Sequence, residues 1–107
     1  MSGEQNGIEV FTSRVFEKAL DKMDEETLGL VEDEIEAIID NPEIGTQKKG
    51  DISYLWVHKF KVHGQQLLLG YSWHEGELHL YLLNIGPHEN FYRDVKKRRK
   101  TDLKMMK

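Results

Sequence analysis

The chain has 107 residues, 38% hydrophobic and 32% charged, with a net charge of -4 at pH 7, which suits one domain with one core and is too short for two. It has no cysteine, so disulfides, thiolate catalysis and zinc sites built on Cys ligands are excluded. Nowhere is there an uncharged apolar run long enough to span a bilayer, and the polar stretch 1–7 carries no apolar signal core, so a cytoplasmic protein without membrane association is expected.

After that polar start, expected to be disordered, "IEVFTS" (Ile8 to Ser13) reads as a short edge strand ending in residues that can cap a helix. Phe16, Ala19, Leu20 and Met23 follow at helical spacing and predict a short amphipathic helix over about 13–23. Asp24 can cap a second helix, in which Leu28, Val31, Ile35, Ile38 and Ile39 make one apolar stripe and acids make the other face. Asn41 and Pro42 end it. The two helices form a hairpin.

"NPEIGTQKKGD" is punctuated by Pro42, Gly45 and Gly50 and reads as a loop exposing Lys48 and Lys49. The period then changes to two. In "YLWVHKFKV", Tyr54, Trp56, His58, Phe60 and Val62 share one face, and Leu55, Val57, Lys59 and Lys61 the other. His63 and Gly64 make a tight turn into "QQLLLGYSW", whose near-continuous apolar run predicts a strand covered on both faces, and Glu75 with Gly76 turns the chain into "ELHLYLLNIG". Beyond Pro87, a helix from about Glu89 carries the cations. The expected architecture is α+β in the order β-α-α-β-β-β-α. It has an antiparallel sheet, a helical hairpin on one face and a basic C-terminal helix. One domain over 8–100 is followed by a flexible basic tail over 101–107.

Charge is divided along the chain. Residues 93–107 hold eight Lys or Arg against Asp94 and Asp102, while ten acids between Glu17 and Asp40 face only Lys18 and Lys22. Such a split points to a polyanion or an oppositely charged partner; alternatively, it is a solvated tail balancing an acidic helix face.

The element order, the loop "NPEIGTQKKGD", the lysine-bearing strand "LWVHKFKV" and the ending "NIGPHENFYRDVKKR" resemble the RelE/ParE superfamily of type II toxin–antitoxin toxins. The likeness runs from about Ile8 to Arg99. It implies either a RelE-like toxin that cuts ribosome-bound messenger RNA, which is the reading favoured here, or a ParE-like inhibitor of DNA gyrase. A third reading is a weakened RelE-fold protein that only binds its antitoxin. Carried over by position, the resemblance assigns catalytic roles to Lys59, Lys61, His88 and Tyr92, and RNA binding to Lys48, Lys49, Gln66 and Arg93. Gln66 departs from the family pattern, since it stands near a position that is usually basic. The implied partners are a cognate antitoxin, in a possible hetero-oligomer, and the ribosome with its mRNA; no metal or cofactor is required.

Those residue types suit the chemistry. Internal transesterification of RNA takes a proton from a 2′-hydroxyl, neutralises charge on the phosphorane and protonates the leaving 5′-oxygen. An imidazole, ordinarily titrating near pH 6.5, serves as acid or base. A phenol, ordinarily near 10, stacks on a base or donates a proton, and ammonium groups stabilise the dianion. Each has an ordinary alternative: lysines keep a strand soluble, His88 caps a turn, and Tyr92 packs its ring on the sheet. His58, among aromatic neighbours, reads as a packed histidine; His63, His74 and His79 fit no metal-ligand spacing.

Overall fold

The computed structural model describes residues 7–107; the disorder expected over 1–7 falls, Gly7 apart, outside the described residues. In chain order the elements are β1 (Glu9–Thr12), α1 (Arg14–Asp21), α2 (Glu25–Asp40), a two-residue strand β2 (Thr46–Gln47), β3 (Trp56–Val62), β4 (Gln65–His74), β5 (His79–Gly86), α3 (His88–Lys97) and α4 (Arg99–Met105). The five strands form one sheet in the order β1-β5-β4-β3-β2. Single 3-10 turns lie at Gly50–Ile52 and Glu75–Glu77.

Local chemistry accounts for most boundaries. The Ser13 hydroxyl accepts from the Phe16 amide at 3.0 Å and starts α1; the Asp24 carboxylate does the same for Thr27 at 2.8 Å and starts α2. His63 and Gly64 have φ of 52° and 78°. Left-handed conformation at both central residues is what a two-residue hairpin turn needs to follow the twist of its strands.

The sheet has two covered faces. On one, α1 and α2 set Phe16, Val31, Ile38 and Ile39 against Leu69, Tyr71, Leu80, Leu82 and Ile85. On the other, Phe91, Val95 and Met106 from the C-terminal helices pack with Leu55, Val57, Leu68, Tyr81 and Leu83. In β5, Leu83 falls without a partner between the pairs Tyr71–Leu82 and Gly70–Asn84. This bulge puts Leu83 in the second core and returns Ile85 to the first, which strict alternation forbids.

Three expectations need correction. The sheet is mixed, because β1, at the edge as expected, lies parallel to β5 while the other pairings are antiparallel. The lysine-bearing loop contributes β2, which extends the opposite edge by pairing Thr46 with Val57 and Gln47 with Trp56. Residues 101–107 are not a flexible tail. Helix α4 docks through Met106, with Leu103 and Met105 beside it, because those apolar groups pack against the core that contains Val95. The Arg99 side chain fastens it by donating from Nε to the Asp51 carbonyl at 2.6 Å.

That docking buries polar atoms. Asp102 is 2% exposed, and its Oδ1 lies 4.0 Å from Arg98 Nε, too far for a hydrogen bond. Those two atoms and the Tyr54 hydroxyl are all buried without a hydrogen-bond partner. Burial pushes the Asp102 carboxyl up from 3.8 to about 6 against the opposing pull of Arg98, and burial with Asp102 beside it raises the Tyr54 phenol. A carboxyl that holds its proton more tightly when folded stabilises the fold fully below about pH 4, and the contribution is lost as pH rises through 6. Asp102→Asn, neutral at every pH, should therefore exceed the parent in stability by about 3 kcal/mol at pH 7 to 8, and match it near pH 4. Urea denaturation across that range checks the convergence.

Candidate functional site

Strand register places the expected residues. In β3, Val57 points into the core under the C-terminal helices, so Lys59 and Lys61, two and four residues on, share that face. Lys59 pairs with Leu68, Lys61 with Gln66, and Leu68 in turn with Gly86. Gly86, Leu68 and Lys59 thus form one rung across three strands, and α3 begins two residues past Gly86, at His88. With strands roughly 4.8 Å apart, His88 sets out about two strands from Lys59. Lys61 and Gln66 make the next rung facing the same way, and both are exposed.

Helix α3 lies down across the sheet because β4 carries no side chain where it crosses. A Cβ at Gly70 would stand 2.9 Å from Phe91 Cζ and 3.1 Å from Leu55 Cδ1. With Phe91 buried there, its neighbour Tyr92 is turned towards the β3 side of the helix. Its ring meets His88 edge-on at 5.7 Å and Phe91 at 5.1 Å, and Lys48 Nζ sits 5.3 Å from its centroid. A cation at that distance is attracted by the ring quadrupole by about 0.5–1 kcal/mol.

Lys48 reaches Tyr92 because the loop behind it is pinned. The buried Tyr71 hydroxyl donates to the Pro42 carbonyl at 2.6 Å and accepts from the Gly45 amide at 3.0 Å. Gly45 has no room for a Cβ, which would stand 2.8 Å from both that hydroxyl and the Val57 carbonyl oxygen. The Lys48 amide then donates to the Leu55 carbonyl at 2.8 Å. Burial pushes the Tyr71 phenol up to about 12 despite the Gly45 amide, so it stays a neutral donor.

Of the eight residues expected from sequence, His88 and Lys48 each stand against the Tyr92 ring, and Lys59, Lys61 and Gln66 lie exposed on the same sheet face. Lys49 is exposed before the 3-10 turn, and Arg93 is exposed with its Nε 3.9 Å from Asp94. Sequence reading missed Tyr71, Gly70 and Gly45, which position the site from behind. A glycine inside an apolar strand was the one available signal for Gly70; nothing in the sequence pairs Tyr71 with Pro42.

The remaining histidines have other occupations. His58 Nε2 is 2.6 Å from Glu34 on α2, confirming it as a packed residue, and its ring stacks on Phe60. His63 faces Glu26, His74 faces Glu77, and His79 lies between Glu9 and Glu77. Among the described residues no group of three or more His, Asp or Glu side chains is placed to hold a metal ion.

The densest group of acids is on the other side of the molecule. Helix α2 carries seven of them and no cation. It covers the sheet face opposite Lys59 and Lys61, so the sheet and its cores separate the two signs of charge.

A small mixed sheet flanked by a helical hairpin and a C-terminal helix, with cations beside the last helix, defines a toxin fold. The chain belongs to the ParE-like toxins of type II bacterial toxin–antitoxin systems, whose family model matches residues 10–96. Its fold is similar to that of a doubly substituted mutant of E. coli toxin RelE in the free state (TM-score 0.64, 15% identity, covering 83% of this chain and 94% of that one). It is also similar to the intact E. coli RelBE toxin–antitoxin complex (TM-score 0.60, 14% identity, 75% and 95%) and to the isolated E. coli RelE toxin (TM-score 0.59, 15% identity, 83% and 95%). No curated protein matches the sequence. Among the described residues no helix is long and apolar enough to cross a membrane.

If Gly70 seats α3, Gly70→Ala should cost about 1–3 kcal/mol in chemical denaturation through overpacking against Phe91. Gly76→Ala, where an added Cβ meets nothing within 4 Å, should stay within about 0.5 kcal/mol of the parent.

Proposed function

We propose that this toxin is a ribosome-dependent endoribonuclease that cuts messenger RNA by internal transesterification and is neutralised by a cognate antitoxin. One observation carries the reading. Lys59 and Lys61 share a sheet face with the His88, Tyr92 and Lys48 cluster, and the acidic helix α2 lies on the opposite face. An acidic protein can meet a polyanion only if its field is bipolar, and this one presents cations where the chemistry would occur. The solved complex of RelE with its antitoxin supports the partner.

In this mechanism His88 takes the 2′-hydroxyl proton, the oxygen attacks phosphorus, and the 5′-oxygen leaves with a proton. A 2′,3′-cyclic phosphate and a 5′-hydroxyl result. Lys59 and Lys61 neutralise the phosphorane oxygens, as positioned charges do in a site that partly excludes water. Tyr92, held by Phe91 and Lys48, offers its ring to a base or its hydroxyl to the leaving oxygen. Lys48 and Lys49 hold neighbouring phosphates with Arg93, and Gln66 supplies neutral hydrogen bonds where a cation would add more stabilisation.

A second reading is favoured by the family match itself: inhibition of DNA gyrase, which needs no bond cleavage. The two separate on inducing the protein alone in bacteria and mapping mRNA ends by primer extension, with and without translation. The nuclease reading expects cuts that require translating ribosomes. His88→Ala should reduce them about 10²- to 10⁴-fold, and Lys59→Ala and Lys61→Ala about 10- to 10³-fold each, with unchanged circular dichroism. Intact mRNA with arrested replication would overturn it in favour of gyrase.

A further inference from the structure

The outer side of α4 is not used by the site described above. Lys100, Thr101, Leu103, Lys104 and Lys107 line a groove of about 340 Å³ there. Its floor is hydrocarbon, made by Leu103 and the lysine stems, and its rim is ammonium groups. A groove of that composition suits an amphipathic acidic helix better than a phosphate chain, which asks for hydrogen-bond donors throughout its path.

Such a helix exists in the chain itself. On α2 the core-facing residues are Val31, Ile38 and Ile39, which turns Asp33, Ala37 and Asp40 to the outside. Asp33 and Asp40 are seven residues apart, as are Lys100 and Lys107. At 1.5 Å per residue each pair spans roughly 10 Å. Laid antiparallel, the two seams put Asp40 against Lys100, Asp33 against Lys107, and the small side chain of Ala37 over Leu103. None of these four charged side chains forms an ion pair among the described residues. The two seams cannot meet within one molecule, because α2 covers one face of the sheet and α4 the other.

We propose that the outer seam of α4 docks the outer seam of α2 from a second copy of this chain, in a reversible head-to-tail association. The contact is heterologous, so an open assembly of any length keeps one donor and one acceptor seam free at its ends until a ring closes. Two crossing helices bury less than the 1,200–2,000 Å² typical of a stable interface, so the association is weak and screened by salt.

Sedimentation velocity on the purified, nuclease-treated protein over a concentration series tests this. At low salt the weight-average mass should rise with concentration, and at high salt it should return to the monomer. The doubly substituted K100E/K107E and D33K/D40K variants should each associate at least about tenfold more weakly, because like charges then face each other. Circular dichroism serves as the check on folding. Mixing the two variants restores opposite charges at both kinds of contact and should restore association. A wild-type protein that stays monomeric at low salt, association that the swaps leave unchanged, or a mixture that fails to recover it would overturn the proposal. So would association that disappears on nuclease treatment, which would assign the lysine seam to RNA.

Discussion

The cationic face of this protein depends on the contact between Phe91 and the bare backbone at Gly70. Helix α3 has no side-chain cap at its start, since Pro87 supplies none. Its height and angle over the sheet therefore come from packing. Phe91 is 2% exposed and rests where any Cβ would intrude. Because Tyr92 adjoins it and His88 lies one turn earlier, that one seat determines where a phenol and an imidazole stand relative to Lys48, Lys59 and Lys61. These surface groups are thereby referenced to the close-packed core.

Two other devices hold the frame to which α3 is referenced. The bulge at Leu83 would leave its carbonyl without a ladder partner, and the Ser13 hydroxyl donates to it at 2.7 Å while also capping α1. One buried serine therefore joins the edge strand, the first helix and the bulge that lets β5 serve both cores. Tyr71 does comparable work at the other edge, where its hydroxyl ties the loop before β3 to the centre of the sheet. A buried hydroxyl satisfying two backbone groups rigidifies a loop that composition alone would leave mobile.

Electrostatically the molecule is two half-surfaces. The net charge describes neither: acids concentrate on α2, cations on β3, α3 and α4, and the sheet with its cores lies between. Burial modifies this pattern in one place. Asp102 sits under α4 with Arg98 at 4.0 Å and no hydrogen bond to Oδ1, so the docking of the last helix contains a polar cost that its apolar contacts must exceed.

Much was legible from residue order alone, because it rests on local rules. The caps at Ser13 and Asp24, the apolar stripe of α2, the change to period two at β3, and the placement of Lys59 and Lys61 on one face all follow from bond geometry and side-chain alternation. The family resemblance followed from the same residues. Other features arise only when distant segments meet. The parallel pairing of β1 with β5 depends on where the meander returns, and the Leu83 bulge on how two cores compete for one strand. The anchoring of Lys48 needs Tyr71, 23 residues further along the chain. Residues 101–107 looked like a solvated tail because they continue a run of cations that begins at Arg93; they fold because Met106 finds a place in a core that includes residues half a chain away. Local pattern determined which side chains share a face, and tertiary packing decided which of them stand close enough to act together.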